Sequence, residues 1–170
     1  MTTTEQMVRQ FRLLTDWYVS VLDGIRPEDG SHVLSENTNS LEWLAGHLLV
    51  MRGRNITRLG KQVEPFRYLD TFVDQTLPPP SVRAFDRNMA YPSLAECTAA
   101  WTACSKAFIK ALETADEHVL RTQIPLTGPT GGSTVEDLLT SIVLHEAFHI
   151  GQMSVIRKGL GYPAMYWFQR

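Results

Sequence analysis

Residues 133–161 read STVEDLLTSIVLHEAFHIGQMSVIRKGLG. Val135, Leu138, Leu139, Ile142, His145, His149, Met153 and Ile156 recur at steps of three and four, the period of one helix face. Ser133 with Glu136 three residues on has the pattern of a capping box at the start. Arg157 and Lys158 suit the negative end of the helix dipole, and Gly159 or Gly161 suits the stop. Inside this long helix lies His145-Glu146-x-x-His149, which reads literally as the HExxH signature of zinc peptidases.

Three further stretches carry the helical period. From about Glu5 to Asp23, Met7, Phe11, Leu14, Tyr18 and Val21 form a stripe, with Gly24 as the stop and Pro27 beyond it. From about Ser40 to Leu59 the stripe is Trp43, Leu44, His47, Leu48 and Met51, so a histidine sits in the middle of an apolar face. Ser93 and Glu96 form a capping box ahead of Leu94, Cys97, Trp101, Cys104, Phe108 and Leu112. No stretch alternates as a strand does. The pattern predicts an all-α protein, a four-helix bundle formed as one domain over residues 1–170.

The connection between the second and third helices, Gly60 to Pro92, holds TLPPPS at its centre and cannot be one regular helix. More than thirty residues without a helix suits a cover over an active site, or a dimer contact. The later LTGPTGGS, residues 126–133, reads as an interhelix turn, since no strand precedes it and it has no Walker lysine. The aromatic tail YPAMYWFQR is expected to pack on the bundle or on a partner subunit.

Composition excludes several classes. Apolar residues make up 44% and charged residues 20%, and the net charge is −2, so no basic surface points to nucleic acid or anionic lipid. No run of 18 apolar residues spans a membrane. The opening MTTTEQMVRQFR has no apolar core of a secretion signal, so a cytoplasmic protein is expected. Cys97 and Cys104 stand seven apart on one helix, ~10 Å along its axis. That exceeds the ~7 Å Cα limit of a disulfide, and both read as reduced core residues.

His145 and His149 are separated by ~400° of helix rotation and ~6 Å of rise, so both rings leave the same face. His47 lies on the apolar stripe of another helix. Three imidazoles converging on an apolar interior are costly unless they find partners, and one divalent metal satisfies all three. In a zinc peptidase the third ligand, a Glu or His, follows the HExxH helix, but no His, Asp or Glu follows His149 here. Glu146 is therefore read as a flanking or outward residue rather than a peptidase base. A di-iron bundle needs a second Glu-x-x-His, and the residue three before His47 is Leu44. A mononuclear site of His47, His145 and His149 remains. Gln152, three residues past His149, is placed to bond a metal ligand or substrate, or else another helix. His32 and His118 fall in or near connections and read as solvated.

His47 in LEWLAGHLL followed by HEAFHIGQ on the last long helix resembles the pattern of the DinB-like (DinB/YfiT-like) superfamily, with Gly151 and Gln152 matching its GQ. Many members carry arginine before the GQ, where this chain has Ile150. The resemblance implies an up-down-down-up bundle with a long connection between helices 2 and 3. It implies a divalent metal, zinc or nickel, on His47, His145 and His149, and a homodimer. It also implies a metal-dependent hydrolase or a transferase that uses a low-molecular-weight thiol such as bacillithiol or mycothiol, acting on a small-molecule substrate.

Three histidines leave metal positions open, the pattern of a catalytic rather than a structural site. Either water or a thiol is then activated there, and the sequence leaves both open. Basic residues such as Arg52, Arg54 or Arg58 around the opening would favour an anionic thiol. The non-enzymatic alternative is a metal-stabilised bundle serving as a dimerisation or binding module.

Overall fold

The computed structural model describes residues 2–62, 69–74, 76, 81–124 and 134–166. Its long helices are α1 (Thr3–Leu22), α2 (Leu41–Arg58), α4 (Leu94–Glu113) and α6 (Val135–Gly159), with single turns α3 (Leu69–Phe72) and α5 (Glu117–Leu120) between them. Among the described residues there is no strand, only the isolated bridges Val73–Val82 and Gln123–Thr134.

Each long helix begins where a hydroxyl side chain can accept from the first turn. Thr2 caps α1, Ser40 caps α2 and Ser93 caps α4, the last with Glu96 closing the expected box. α1 stops before Gly24, whose φ of 69° lies in the left-handed region. The start of α6 differs from the expected Ser133–Glu136 box. Thr134 is the cap: its hydroxyl accepts from the Asp137 N–H at 3.1 Å, and the Asp137 carboxylate accepts from the Thr134 N–H at 3.1 Å. The sequence holds two overlapping boxes, and the helix uses the one a residue later; Ser133 lies outside the described residues.

The direction of each helix follows from its pairings. Tyr18 stacks on Trp101 and Phe11 meets Phe108 edge-on, so α4 runs against α1. The Tyr18 hydroxyl donates to the Ala45 carbonyl and Arg52 donates to Thr15, so α2 also runs against α1. Arg157, near the end of α6, donates to the Val21 carbonyl near the end of α1, so those two run together. The result is an up-down-down-up four-helix bundle, and the long connection is the one that returns the chain between the parallel helices α2 and α4.

That connection is not helix-free as expected, because α3 forms within it. Phe72 is fully buried against Gly46, where a Cβ would stand 2.1 Å from its ring. Phe85 and Tyr91, further along, stack on each other, and Phe85 meets Trp43 of α2. The Pro-rich centre lies largely, and the interhelix glycine turn wholly, outside the described residues. The tail returns to α1: Met165 is buried, the Tyr166 N–H donates to Ser20, and Tyr162 donates to Asp29.

Candidate metal centre

The core face of α6 runs through Ile142, Glu146, Ile150, Met153 and Arg157, all buried. His145 and His149 stand half-buried on the flank of that face rather than along its centre as expected. The reason is phase: the deepest line of α6 passes one residue after each histidine. The flank turns both rings toward α2, where His47 is 4% exposed.

The three imidazoles meet through their ε-nitrogens. His145 Nε2 lies 3.1 Å from His47 Nε2 and 3.1 Å from His149 Nε2, and the three ligand atoms lie within 4.8 Å of one another. Nitrogens at ~2.0–2.1 Å from one tetrahedral ion stand roughly 3.3 Å apart, close to this spacing. Without an ion the cluster is poorly satisfied. His145 Nε2 carries either a proton or a lone pair, so it can serve only one neighbour at a time. The buried Nδ1 atoms of His47 and His145 have no hydrogen-bond partner among the described residues. His149 Nδ1 donates to Gln152 Oε1 at 2.7 Å, which fixes the tautomer whose lone pair is on Nε2. The donor set thus fits a divalent cation.

Electrostatics keep the rings neutral, the form a metal needs. Burial, with smaller contributions from His145 and His149, pushes His47 down to about 3. Burial and His149 push His145 down to about 4, and burial lowers His149 against the opposing bond from Gln152. The wall beside the cluster is aromatic. Trp43 stacks on His47 at 4.8 Å between centroids, and Phe148 meets His149 edge-on.

One sequence expectation needs correction, and the placement left open for Arg52 is decided. Glu146 does not point outward: it is 0% exposed and paired with Arg52. Its carboxyl is pushed up by burial and pulled back by the Arg52 guanidinium. Arg52 does not line an opening, because its guanidinium lies within the bundle core. Arg54 and Arg58 are half-buried, and Arg58 donates to Asn55. His32 and His118 are exposed and take no part in the cluster. Cys97 and Cys104 are free thiols, pushed by burial to about 12 and about 11 respectively.

The Arg52–Glu146 pair and the Trp43–Phe85 contact escaped the sequence reading. The ion pair had a signal. Arg52 continues the apolar register Leu41, Leu44, Leu48, and Glu146 lies between Ile142 and Ile150. Opposite charges in two core registers point to each other.

The bundle topology and the imidazole cluster define a class of helical proteins with a histidine triad between two helices, its donors close enough to hold one ion. The chain belongs to the DinB superfamily, whose model matches residues 10–153. Three solved structures share the fold. A conserved protein from Enterococcus faecalis is similar at TM-score 0.72 and 15% identity, covering 95% of this chain and 99% of its own. A DinB-like protein from Bacillus subtilis is similar at TM-score 0.66 and 18% identity, covering 97% and 99%. YfiT from Bacillus subtilis, described as a probable metal-dependent hydrolase with an unusual four-helix bundle topology, is similar at TM-score 0.64 and 11% identity, covering 94% and 89%. No curated protein matches the sequence. Among the described residues no helix is long and apolar enough to cross a membrane.

Proposed function

We propose that the chain is a metal-dependent enzyme acting on a small molecule, with hydrolysis as its reaction. The carrying observation is the convergence of three imidazoles, with His145 Nε2 at 3.1 Å from each of the other two, on a site whose two α6 histidines are only half-buried. Zinc or nickel is the ion these nitrogen donors suit. A divalent ion there supplies Lewis-acid activation of water or of a substrate carbonyl. His47, His145 and His149 hold it, and Gln152 keeps the His149 lone pair on Nε2. Buried Trp43, stacked on His47, gives one side of the cluster an apolar wall. Glu146 takes no proton from the substrate, since Arg52 occupies both its oxygens. The reading is in line with the description given to YfiT.

Transfer of a low-molecular-weight thiol is the second reading. Its support from basic residues is reduced, because Arg52 is committed to the core. The non-catalytic alternative is a metal-stabilised binding or dimerisation module. Metal analysis of the purified protein, with ester and amide substrates and with bacillithiol, mycothiol or glutathione plus an electrophile, tests all three. Zinc- or nickel-dependent ester or amide cleavage lost in His47→Ala supports the hydrolase. Thiol-dependent turnover alone moves the assignment to a transferase, and bound metal without exchangeable water makes it structural.

A homodimer is proposed as well. Leu144, Phe148 and Val155 are each more than 60% exposed on the outer face of α6, with Gly151 between them. The positions 144, 148, 151 and 155 read the same in either direction along the helix. Antiparallel pairing about a two-fold axis would therefore set Phe148 against the glycine notch of the partner and Leu144 against Val155.

A further inference from the structure

Arg52 is a single α2 side chain that touches the other three long helices. Its Nε donates to Glu146 Oε1 of α6 at 2.9 Å, and its Nη2 donates to the other Glu146 oxygen. Its Nη1 donates to Thr15 of α1 and to Ser105 of α4, both at 2.7 Å. Its guanidinium carbon sits 3.8 Å from the centroid of the Trp101 ring of α4. Both Arg52 and Glu146 are 0% exposed.

Such a pair is a weak source of stability. Removing two charges from water costs about what their attraction returns, and well-packed apolar replacements are often neutral or stabilising. Its location suggests another use. Arg52 follows His47 by five residues, and Glu146 follows His145 directly. The pair therefore joins the same two helices that carry the imidazoles, about two turns or less from each ring. A slide of α2 past α6 by one residue is ~1.5 Å, enough to break a bond of ~2 Å to a metal. An apolar contact tolerates such a slide, whereas a bidentate guanidinium–carboxylate pair does not.

We infer that Arg52 and Glu146 are positioning residues for the imidazole cluster: their ion pair fixes the register of α2 against α6 and so holds His47 opposite His145 and His149. The inference rests on the metal reading above. Glu146 acts through Arg52 and is not itself a ligand.

The test uses the full chain and two variants, Glu146→Gln and the double variant Arg52→Met/Glu146→Leu. Three measurements are made: the melting temperature of the metal-free protein, zinc affinity by competition with a chromophoric chelator, and the visible spectrum of the cobalt-substituted protein. The double variant should fold with a melting temperature equal to or above the parent. Its zinc affinity should fall about tenfold or more, and its cobalt bands should shift or weaken, because the nitrogens no longer converge. Glu146→Gln should lose affinity in the same direction. A folded double variant with parental zinc affinity and an unchanged cobalt spectrum overturns the inference. So does a double variant that cannot fold, since the pair would then serve the bundle itself. If the parent chain binds neither zinc nor cobalt, the metal reading fails and this inference falls with it. Binding by the parent that is lost in His47→Ala keeps the metal reading intact whatever the variants do.

Discussion

Gln152 Oε1 accepts from His149 Nδ1 at 2.7 Å, within one turn of the same helix. The bond leaves a lone pair on Nε2, which faces the ε-nitrogens of the other two rings. Replacing Gln152 with leucine removes the acceptor and lets the ring take the other tautomer or rotate. Gln152→Leu should weaken zinc binding by about tenfold to a hundredfold, the usual effect of losing the partner that orients a ligand. Its melting temperature should change little, because the contact is half-buried and lies within one helix. A large melting loss with unchanged zinc affinity would instead make the bond purely structural.

Burial holds the three imidazoles below their ordinary range, helped at His47 and His145 by neighbouring rings, with His47 at about 3 and His145 at about 4. The unfolded chain takes these protons near pH 6.5, while the folded chain refuses them until far lower. Stability from this source is therefore complete above about pH 6.5 and is lost as pH falls toward the folded values. The metal-free protein should hold its melting temperature from pH 7.5 to about 6.5 and melt progressively lower from there to about pH 5, above the range where most carboxylates titrate. His47→Gln should flatten that slope. Bound zinc should steepen the dependence, since protons then also compete for the ligands. A melting temperature constant across this window, with all three histidines present, would contradict the assignment of neutral rings.

Much of this architecture was legible because it rests on period and caps. The stripe Met7, Phe11, Leu14, Tyr18, Val21 is wholly buried, and Ser93–Glu96 opens α4 as read. The His47–His145–His149 convergence was legible for the same reason, since spacing four puts two rings on one side of a helix. What was not legible depends on depth. Periodicity locates a face but not its centre line, so it reads Glu146 as flanking or outward, whereas Glu146 lies deeper than its histidine neighbours. The Thr134 start of α6 was missed because two capping boxes overlap by one residue. The aromatic contacts of Phe72 and Phe85 join positions distant in sequence, and no local pattern announces them.

Gly46 meets Phe72 so closely that a Cβ would stand 2.1 Å and 2.7 Å from two of its ring atoms. Gly46 precedes His47, so the fit lies beside the cluster. Gly46→Ala should destabilise the protein by about 1–3 kcal/mol, despite the better helix propensity of alanine. Phe72→Ala should also destabilise, by about 3–5 kcal/mol, through the cavity it leaves. The two together should cost less than their sum, because the truncated ring no longer opposes the methyl group. Urea unfolding of the four proteins measures this, and strict additivity would show that Gly46 is not there to admit Phe72.

Gly151 and Phe148 test the proposed dimer with effects of opposite sign. Among the described residues a Cβ at Gly151 would meet nothing within 4 Å, so none of their contacts explains a glycine in the middle of α6. Within an isolated chain, Gly151→Ala should stabilise the helix by about 1 kcal/mol. Across a two-fold interface the added methyl would fill the notch that receives Phe148 of the partner, and association should weaken. Phe148→Glu should weaken it further, by placing like charges and a polar group in an apolar contact. Sedimentation equilibrium over a range of concentrations measures association, and urea unfolding at low concentration measures the chain alone. Gly151→Ala should thus raise the stability of the monomer while increasing the dissociation constant of the dimer. A parent chain that stays monomeric at high concentration rules out the dimer. One that dimerises equally well as Phe148→Glu moves the interface away from this face of α6.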